Sequence, residues 1–181
     1  DKICVSPSGY PAQIGQILDH KNESVRFARP GENVQITLIH INEEGMINKG
    51  DVISCREKVT PVTCIFEAEM DVLELLQTKP ILSKGYSCVM HCHTFADDIT
   101  IDTILEVRDQ NAQGKWETNE KAKFIKSMQQ CRVRISTRQP LAMEKYEVLP
   151  QMGRFTLRDE GRTIAVGKIL KYKPHKVMST I

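Results

Sequence analysis

The run Cys88-Val89-Met90-His91-Cys92-His93 sets four potential zinc ligands within six residues. Structural zinc takes thiolate and imidazole ligands in closely spaced pairs. A Cys–His nucleophile pair is the other chemistry these residue types offer. The run alternates as a strand does, and a strand sends successive side chains to opposite faces. His91 and His93 then share one face, and Cys88, Met90 and Cys92 the other. That divergence argues against both chemistries. No second ligand pair follows, since Cys131 is isolated and His40 and His175 stand in unrelated contexts. The chain also has no Gly-x-Ser-x-Gly elbow, no Gly-x-x-x-x-Gly-Lys-Ser/Thr phosphate loop and no Gly-x-Gly-x-x-Gly. No catalytic residue, no metal site and no cofactor is therefore expected in these residues. The cysteines belong on the core side, and the two imidazoles on a polar or interface side.

A second group of residues suits recognition rather than chemistry. Gly153 to Gly167 reads GRFTLRDEGRTIAVG. Alternation puts Arg154, Thr156 and Arg158 on one face and Phe155 and Leu157 on the other. Asp159-Glu160-Gly161 can reverse the chain, with Gly161 at a positive-φ position. On the return strand Thr163, Ala165, Gly167 and Ile169 alternate against Ile164, Val166, Lys168 and Leu170. Small Ala165 and Gly167 let another backbone or side chain approach closely. The arginines are either solvated or paired with Asp159 and Glu160, or they form a docking surface. Guanidinium forks engage carboxylates and stack on aromatics. Arg162 begins the return strand, with no role assigned to it.

The elements that must position these residues are strands. Period-two segments and short β-branched runs dominate: Ile3–Val5, Gln13–Leu18, Val34–Ile39, Asp51–Ser54, Cys64–Leu73, Ser87–Thr94, Ile99–Val107, Ala122–Lys126, Gln130–Ser136, Glu144–Leu149, Arg154–Asp159 and Thr163–Leu170. Only Glu67–Leu76 competes as a helix, and Ile65-Phe66 before it with Pro80 after it favours a strand. Arg29-Pro30-Gly31-Glu32 reads as a turn feeding the next strand. So many short strands suit two packed β-barrels. The seam falls in polar Arg56–Val62, giving 1–58 as the last part of one barrel, 59–175 as a second barrel and 176–181 as a tail. The first unit has too few strands to close, and closure is what removes exposed edges. Asp1-Lys2 leads directly into Ile3-Cys4-Val5, so the opening strands of an incomplete first barrel are expected upstream, in a longer chain.

Composition bounds the function. The 181 residues are 40% hydrophobic and 27% charged, with a net charge of +2. That balance fits an ordinary globular protein and does not by itself imply nucleic acid. Lys115, Lys121, Lys123, Lys126, Arg132, Arg134 and Arg138 crowd one interval, as solvated strand faces or as a surface for RNA or an acidic partner. Only 6% of residues are aromatic, and Trp116 is expected in a polar loop, so stacking platforms are few and direct nucleic-acid binding is expected to be weak or absent. No apolar run reaches membrane-spanning length and no leader is visible. Six scattered cysteines in apolar surroundings suit reduced thiols and a cytoplasmic location.

With these residues in view, the chain resembles a known family. Gln151–Leu170, QMGRFTLRDEGRTIAVGKIL, is similar to the last barrel of the elongation factor Tu / elongation factor 1-alpha class of translational GTPases. Ala28–Ser54 resembles the end of that class's second domain, and Lys84–Thr94, KGYSCVMHCHT, a strand of its third. Within the class the resemblance is strongest to the GTPase subunit of the eukaryotic peptide-chain release factor (class II release factor). Arg158-Asp159-Glu160-Gly161 stands where elongation factor 1-alpha continues Arg-Asp-Met. His91 replaces that factor's Asp, and His93 replaces the Gln of the ribosome-rescue GTPase that partners Pelota. Arg108–Glu120, Cys92 and the residues after Lys173 depart from the pattern.

The resemblance implies an all-β chain of two packed barrels, the second and third domains of such a GTPase, with GTP and Mg2+ held in a domain outside these residues. It implies a parent that acts at the ribosome. It implies that the third domain binds the class I, stop-codon-reading release factor through Gly153-Arg154-Phe155-Thr156-Leu157-Arg158-Asp159, with His91 and His93 beside it. Phe155 and Leu157 are expected to act from the core. The alternative is the same architecture in the rescue or elongation branch, binding Pelota or aminoacyl-tRNA.

Overall fold

The computed structural model describes residues 1–39, 47–110 and 115–173. The expected tail 176–181, residues 40–46 within the Ala28–Ser54 resemblance, and residues 111–114 lie outside the described residues. Strands account for nearly all regular structure, and the described residues fall into two compact units that meet between Thr60 and Pro61.

The first unit is a single antiparallel sheet. It comprises β1 (Lys2–Ser6), β2 (Tyr10–Leu18), β3 (Ser24–Val25), β4 (Gln35–Ile39) and β5 (Val52–Cys55). The order is β3-β2-β1-β5, and β4 also pairs with β2. β1 and β2 are joined through Pro7-Ser8-Gly9, where Gly9 N donates to Val5 O at 2.8 Å. The Arg29–Glu32 turn closes with Glu32 N donating to Arg29 O at 3.1 Å and the Glu32 carboxylate accepting from Arg29 N at 2.8 Å. The sheet curls but does not close, and its core is small: Ile3, Val5 and Ala12 are buried. It is an incomplete barrel.

The second unit is a closed barrel. Its strands are β6 (Val62–Val72), β7 (Leu82–Ser83), β8 (Ser87–Cys92), β9 (Phe95–Gln110), β10 (Trp116–Asn119), β11 (Phe124–Ile125), β12 (Gln130–Ala142), β13 (Arg154–Asp159) and β14 (Arg162–Tyr172). One sheet runs β10-β9-β12-β6-β14-β13-β8, and β8 pairs again with β9, closing six strands on themselves. β7 and β11 form a separate two-stranded piece. The interior holds Phe66, Met70, Met90, Ile101, Ile135 and Leu157, and the thiols of Cys88, Cys92 and Cys131.

Several segments depart from the sequence reading. Glu144–Leu149 is not a strand. Val148 N and Leu149 N both donate to Lys145 O at 3.0 Å, and the turn runs into the short helix α1 (Pro150–Gly153). Its alternating Tyr146 and Val148 are exposed; Tyr146 N donates to Ile169 O of β14 at 3.0 Å, but no ladder continues from that single bond. The expected strand from Ile99 begins earlier, at Phe95, as β9. Trp116 opens β10, which pairs with Val107–Gln110 at the far end of β9, so Trp116 lies in a strand and not in the expected polar loop. Ala122–Lys126 shrinks to β11, and β12 and β14 run further than alternation alone indicated. Ile164 and Ala165 are both buried, because a bulge between Leu157 and Arg158 in the register leaves Ile164 unopposed.

Barrel closure depends on β13 and β14. Phe155 lies opposite Gly167 in the ladder and meets Phe66 edge-on, with ring centroids 6.1 Å apart and planes at 74°. The Phe155 ring covers the space a Gly167 side chain would occupy: a methyl there would strike the ring and stand 2.9 Å from Glu69 O. Gly167→Ala is therefore expected to destabilise the barrel by about 1–3 kcal/mol through overpacking. Chemical denaturation measures this, and an unchanged midpoint would show that the ring can move aside freely.

Candidate docking face on the closing hairpin

The hairpin turn sets the geometry. Glu160 and Gly161 both have positive φ, 47° and 78°, between the flanking pair Asp159 and Arg162. Two central residues with positive φ give the turn whose twist matches flanking strands. Gly161 meets that demand without strain, whereas Glu160 is a non-glycine residue held there. Arg154 and Arg158 point outward and are exposed, Thr156 is half-buried between them, and Phe155 and Leu157 point into the barrel.

Neighbouring strands widen the outward face. Thr156 lies opposite His91 on β8 and opposite Val166 on β14, while Arg154 lies opposite Lys168. Glu69 and Asp71 of β6 follow, opposite Lys168 and Val166. A basin of about 640 Å³ opens here, with His91, His93, Arg154, Thr156 and Phe155 among its walls. A second hollow of about 480 Å³ includes His91, Arg158 and Asp159. His91 thus borders both. Leu157 lines neither, being fully buried.

The charged groups here have different degrees of freedom. Lys168 Nζ is held by the Glu69 carboxylate at 2.9 Å. Arg154 has no carboxylate within 4.0 Å among the described residues. Arg158 Nη2 donates to Gly161 O at 2.7 Å, so this guanidinium braces its own turn. Asp159 is not offered to solvent: its carboxylate accepts from Lys79 Nζ at 2.8 Å and from Tyr86 OH at 2.5 Å. Burial pushes its pKa up, but these two bonds outweigh that and hold it below the ordinary carboxylate value. Lys79 and Tyr86 were not legible as part of this region, because they stand 80 and 73 positions away in sequence from their partner. Val166 and Lys168, by contrast, follow from the alternation of β14.

His93 sits just beyond β8 in a positive-φ conformation, 45°, so strand alternation no longer governs it. It still reaches the basin beside His91. Its Nε2 lies 2.7 Å from Ala142 O, while Nδ1 accepts from Thr94 N at 2.7 Å. An accepting Nδ1 fixes the neutral tautomer with its proton on Nε2. The residue as a whole is exposed, yet its ring edge lies against the Ala142 carbonyl. Burial of that edge lowers the pKa, and the Ala142 bond only partly restores it.

The thiols beneath this face are poor nucleophiles. Burial pushes both Cys88 and Cys92 up to about 12. Cys92 and His93 no longer share a regular strand, and among the described residues no three His, Cys, Asp or Glu side chains form a group that could hold a metal ion. What the arrangement offers is suited to recognition: the Arg154 guanidinium, the His91 imidazole and the Thr156 hydroxyl on one face of the sheet.

A lowered His93 pKa makes stability depend on pH. The unfolded state binds the proton more readily, so the contribution is complete above about 6.5, the ordinary histidine value, and is lost as pH falls through the folded value. The unfolding free energy should decline more steeply on acidification through this window in the native chain than in His93→Gln. Parallel slopes would remove this account of the ring.

Comparison with known proteins places this geometry in context. The family model described as GTP-eEF1A C-terminal domain-like matches residues 65–170. The eukaryotic peptide chain release factor GTP-binding subunit of Zygosaccharomyces rouxii is 36% identical over 169 residues, which is 91% of this chain and 24% of that protein. Elongation factor 1-alpha of Pyrobaculum arsenaticum is 32% identical over 179 residues, 98% of this chain and 38% of that protein. The solved structure of sup35 complexed with GDP superposes with a TM-score of 0.81 at 28% identity, covering 96% of this chain and 40% of that one. The chain spans about a quarter of the length of the release-factor relatives it matches.

Proposed function

The chain belongs to the GTP-eEF1A C-terminal domain-like family of translational GTPases, and from that premise we propose that its closed barrel docks the class I peptide-chain release factor. Arg154, Thr156 and His91 make the contact surface, with Arg158 and His93 at its margins. Phe155 and Leu157 hold the hairpin from inside, and Asp159 acts by fixing the turn through Lys79 and Tyr86. The observation that carries this reading is Arg154: a guanidinium on the rim of the basin, with no carboxylate of its own among the described residues. Such a group is suited to a partner's carboxylate or aromatic face.

In this reading the chain contributes positioning, and the parent protein is a ribosome-dependent GTPase of translation termination in the cytoplasm. GTP and Mg2+ belong to a separate domain of that parent. The release-factor names of several relatives and the GDP and GMPPNP complexes of the structural neighbours support this. The similarity to elongation factor 1-alpha supports a second reading, in which the same face takes Pelota or aminoacyl-tRNA.

Calorimetry with the class I factor tests the proposal. Arg154→Ala is expected to weaken binding by at least tenfold with the circular dichroism and unfolding midpoint unchanged. Full affinity in a folded Arg154→Ala protein would exclude the arginine from the contact. A pull-down offering the class I factor, Pelota and aminoacyl-tRNA together separates the two readings, and retention of only the latter two would decide against release.

A further inference from the structure

The outward face around Arg154 does not stop at the closing hairpin. The basin walls reach Gln130 on β12. Gln130 lies opposite Arg108 of β9, and Arg108 lies opposite Thr118 of β10. Residues opposite one another in a ladder share a face, so these three side chains stand on the basin's side of the sheet. Trp116 precedes Thr118 by two residues and shares that face by alternation, about 7 Å further along β10. Arg108 links this region to the basin directly: its Nη1 lies 3.5 Å from Oε1 of Glu69, which is one of the basin walls. β10 adds nothing buried to the barrel. All four of its residues are exposed, and it is the end strand of its sheet, with β9 on one side. Trp116 is 50% exposed and is the only tryptophan in the chain.

We propose that Trp116 is a second anchor for the class I factor, at the far side of the face that Arg154 opens. The proposal rests on the docking function above and adds a residue which that function does not use. Arg154, Thr156 and His91 are a small patch, whereas a standard protein interface takes about 20–30 residues a side, so the footprint extends onto neighbouring strands. The ground between the hairpin and β10 is suited to being covered. Glu69 pairs with both Lys168 and Arg108, and Arg108 also pairs with Glu106. A partner lying there takes these charges out of water already compensated, and it is the uncompensated buried charge that costs most. Tryptophan and arginine are the side chains most enriched among residues that dominate binding energy. Here one of each stands on the same outward face, joined by a paired and therefore nearly neutral floor. Trp116 offers a large ring that the barrel core does not need.

Calorimetry of the native chain, Trp116→Ala, Trp116→Phe and Arg154→Ala with the class I factor is the test. Trp116→Ala should weaken binding at least tenfold with the unfolding midpoint unchanged, and Trp116→Phe, which keeps an aromatic ring, should recover most of the loss. A single tryptophan also gives a single fluorine resonance in a chain labelled with 5-fluorotryptophan, and that resonance should shift when the factor is added to saturation. Native affinity in Trp116→Ala together with weakened binding in Arg154→Ala overturns the second anchor and leaves the docking function standing. No binding by the native chain overturns the docking function, and the anchor falls with it.

Discussion

A closed barrel obliges every strand to commit one face inward and the other outward, and the ladder between β13 and β14 is where that obligation is tightest. Phe155 can fill the interior only because Gly167 opposite it has no side chain, and it then meets Phe66 across the core. With Phe155 seated inward, strand alternation sends Arg154, Thr156 and Arg158 outward without further choice. The composition of the outer face is thus fixed by packing on the inner one. The same logic puts His91 beside Thr156 and Lys168 beside Arg154, since each belongs to a neighbouring strand in the same closed ladder.

Electrostatics divides the outer face into groups that hold the fold and groups that remain available. Asp159 has the charge of a recognition residue but the surroundings of a structural one: Lys79 and Tyr86 tie it to a remote connection. Arg158 turns back to a carbonyl of its own hairpin. Glu67 and Glu69 are surrounded by arginines and lysines, so much of the basic interval around Arg132 and Arg134 is internally compensated. Exposed ion pairs of this kind contribute little individually. Their larger effect here is to tie up neighbouring cations such as Lys168, while Arg154 beside it has no carboxylate within 4.0 Å among the described residues.

The sequence made the inward and outward sets of β13 legible because alternation is a local property and Gly153 to Asp159 keeps it without interruption. The buried thiols of β8 were legible for the same reason. Alternation failed where geometry departed from a regular strand. The bulge at Ile164 put two consecutive residues inside, and β8 ends at Cys92, two residues before the expected Thr94, which leaves His93 outside the strand. Tyr146 and Val148 alternate as a strand would, yet the backbone there turns back on Lys145 O and runs into α1, which alternation does not record. The Lys79–Asp159–Tyr86 contact was beyond reach because only the folded topology brings those residues together.

β14 pairs with β6, the strand that opens the unit, and β13 pairs with β8. These are contacts between distant parts of the chain, and such contacts form late because loop closure must come first. The basin walls come from β6, β8, β13 and β14 together. Until the final hairpin inserts, no two opposite walls of that basin exist. The basin is therefore a property of the closed barrel, and no single pair of strands carries it.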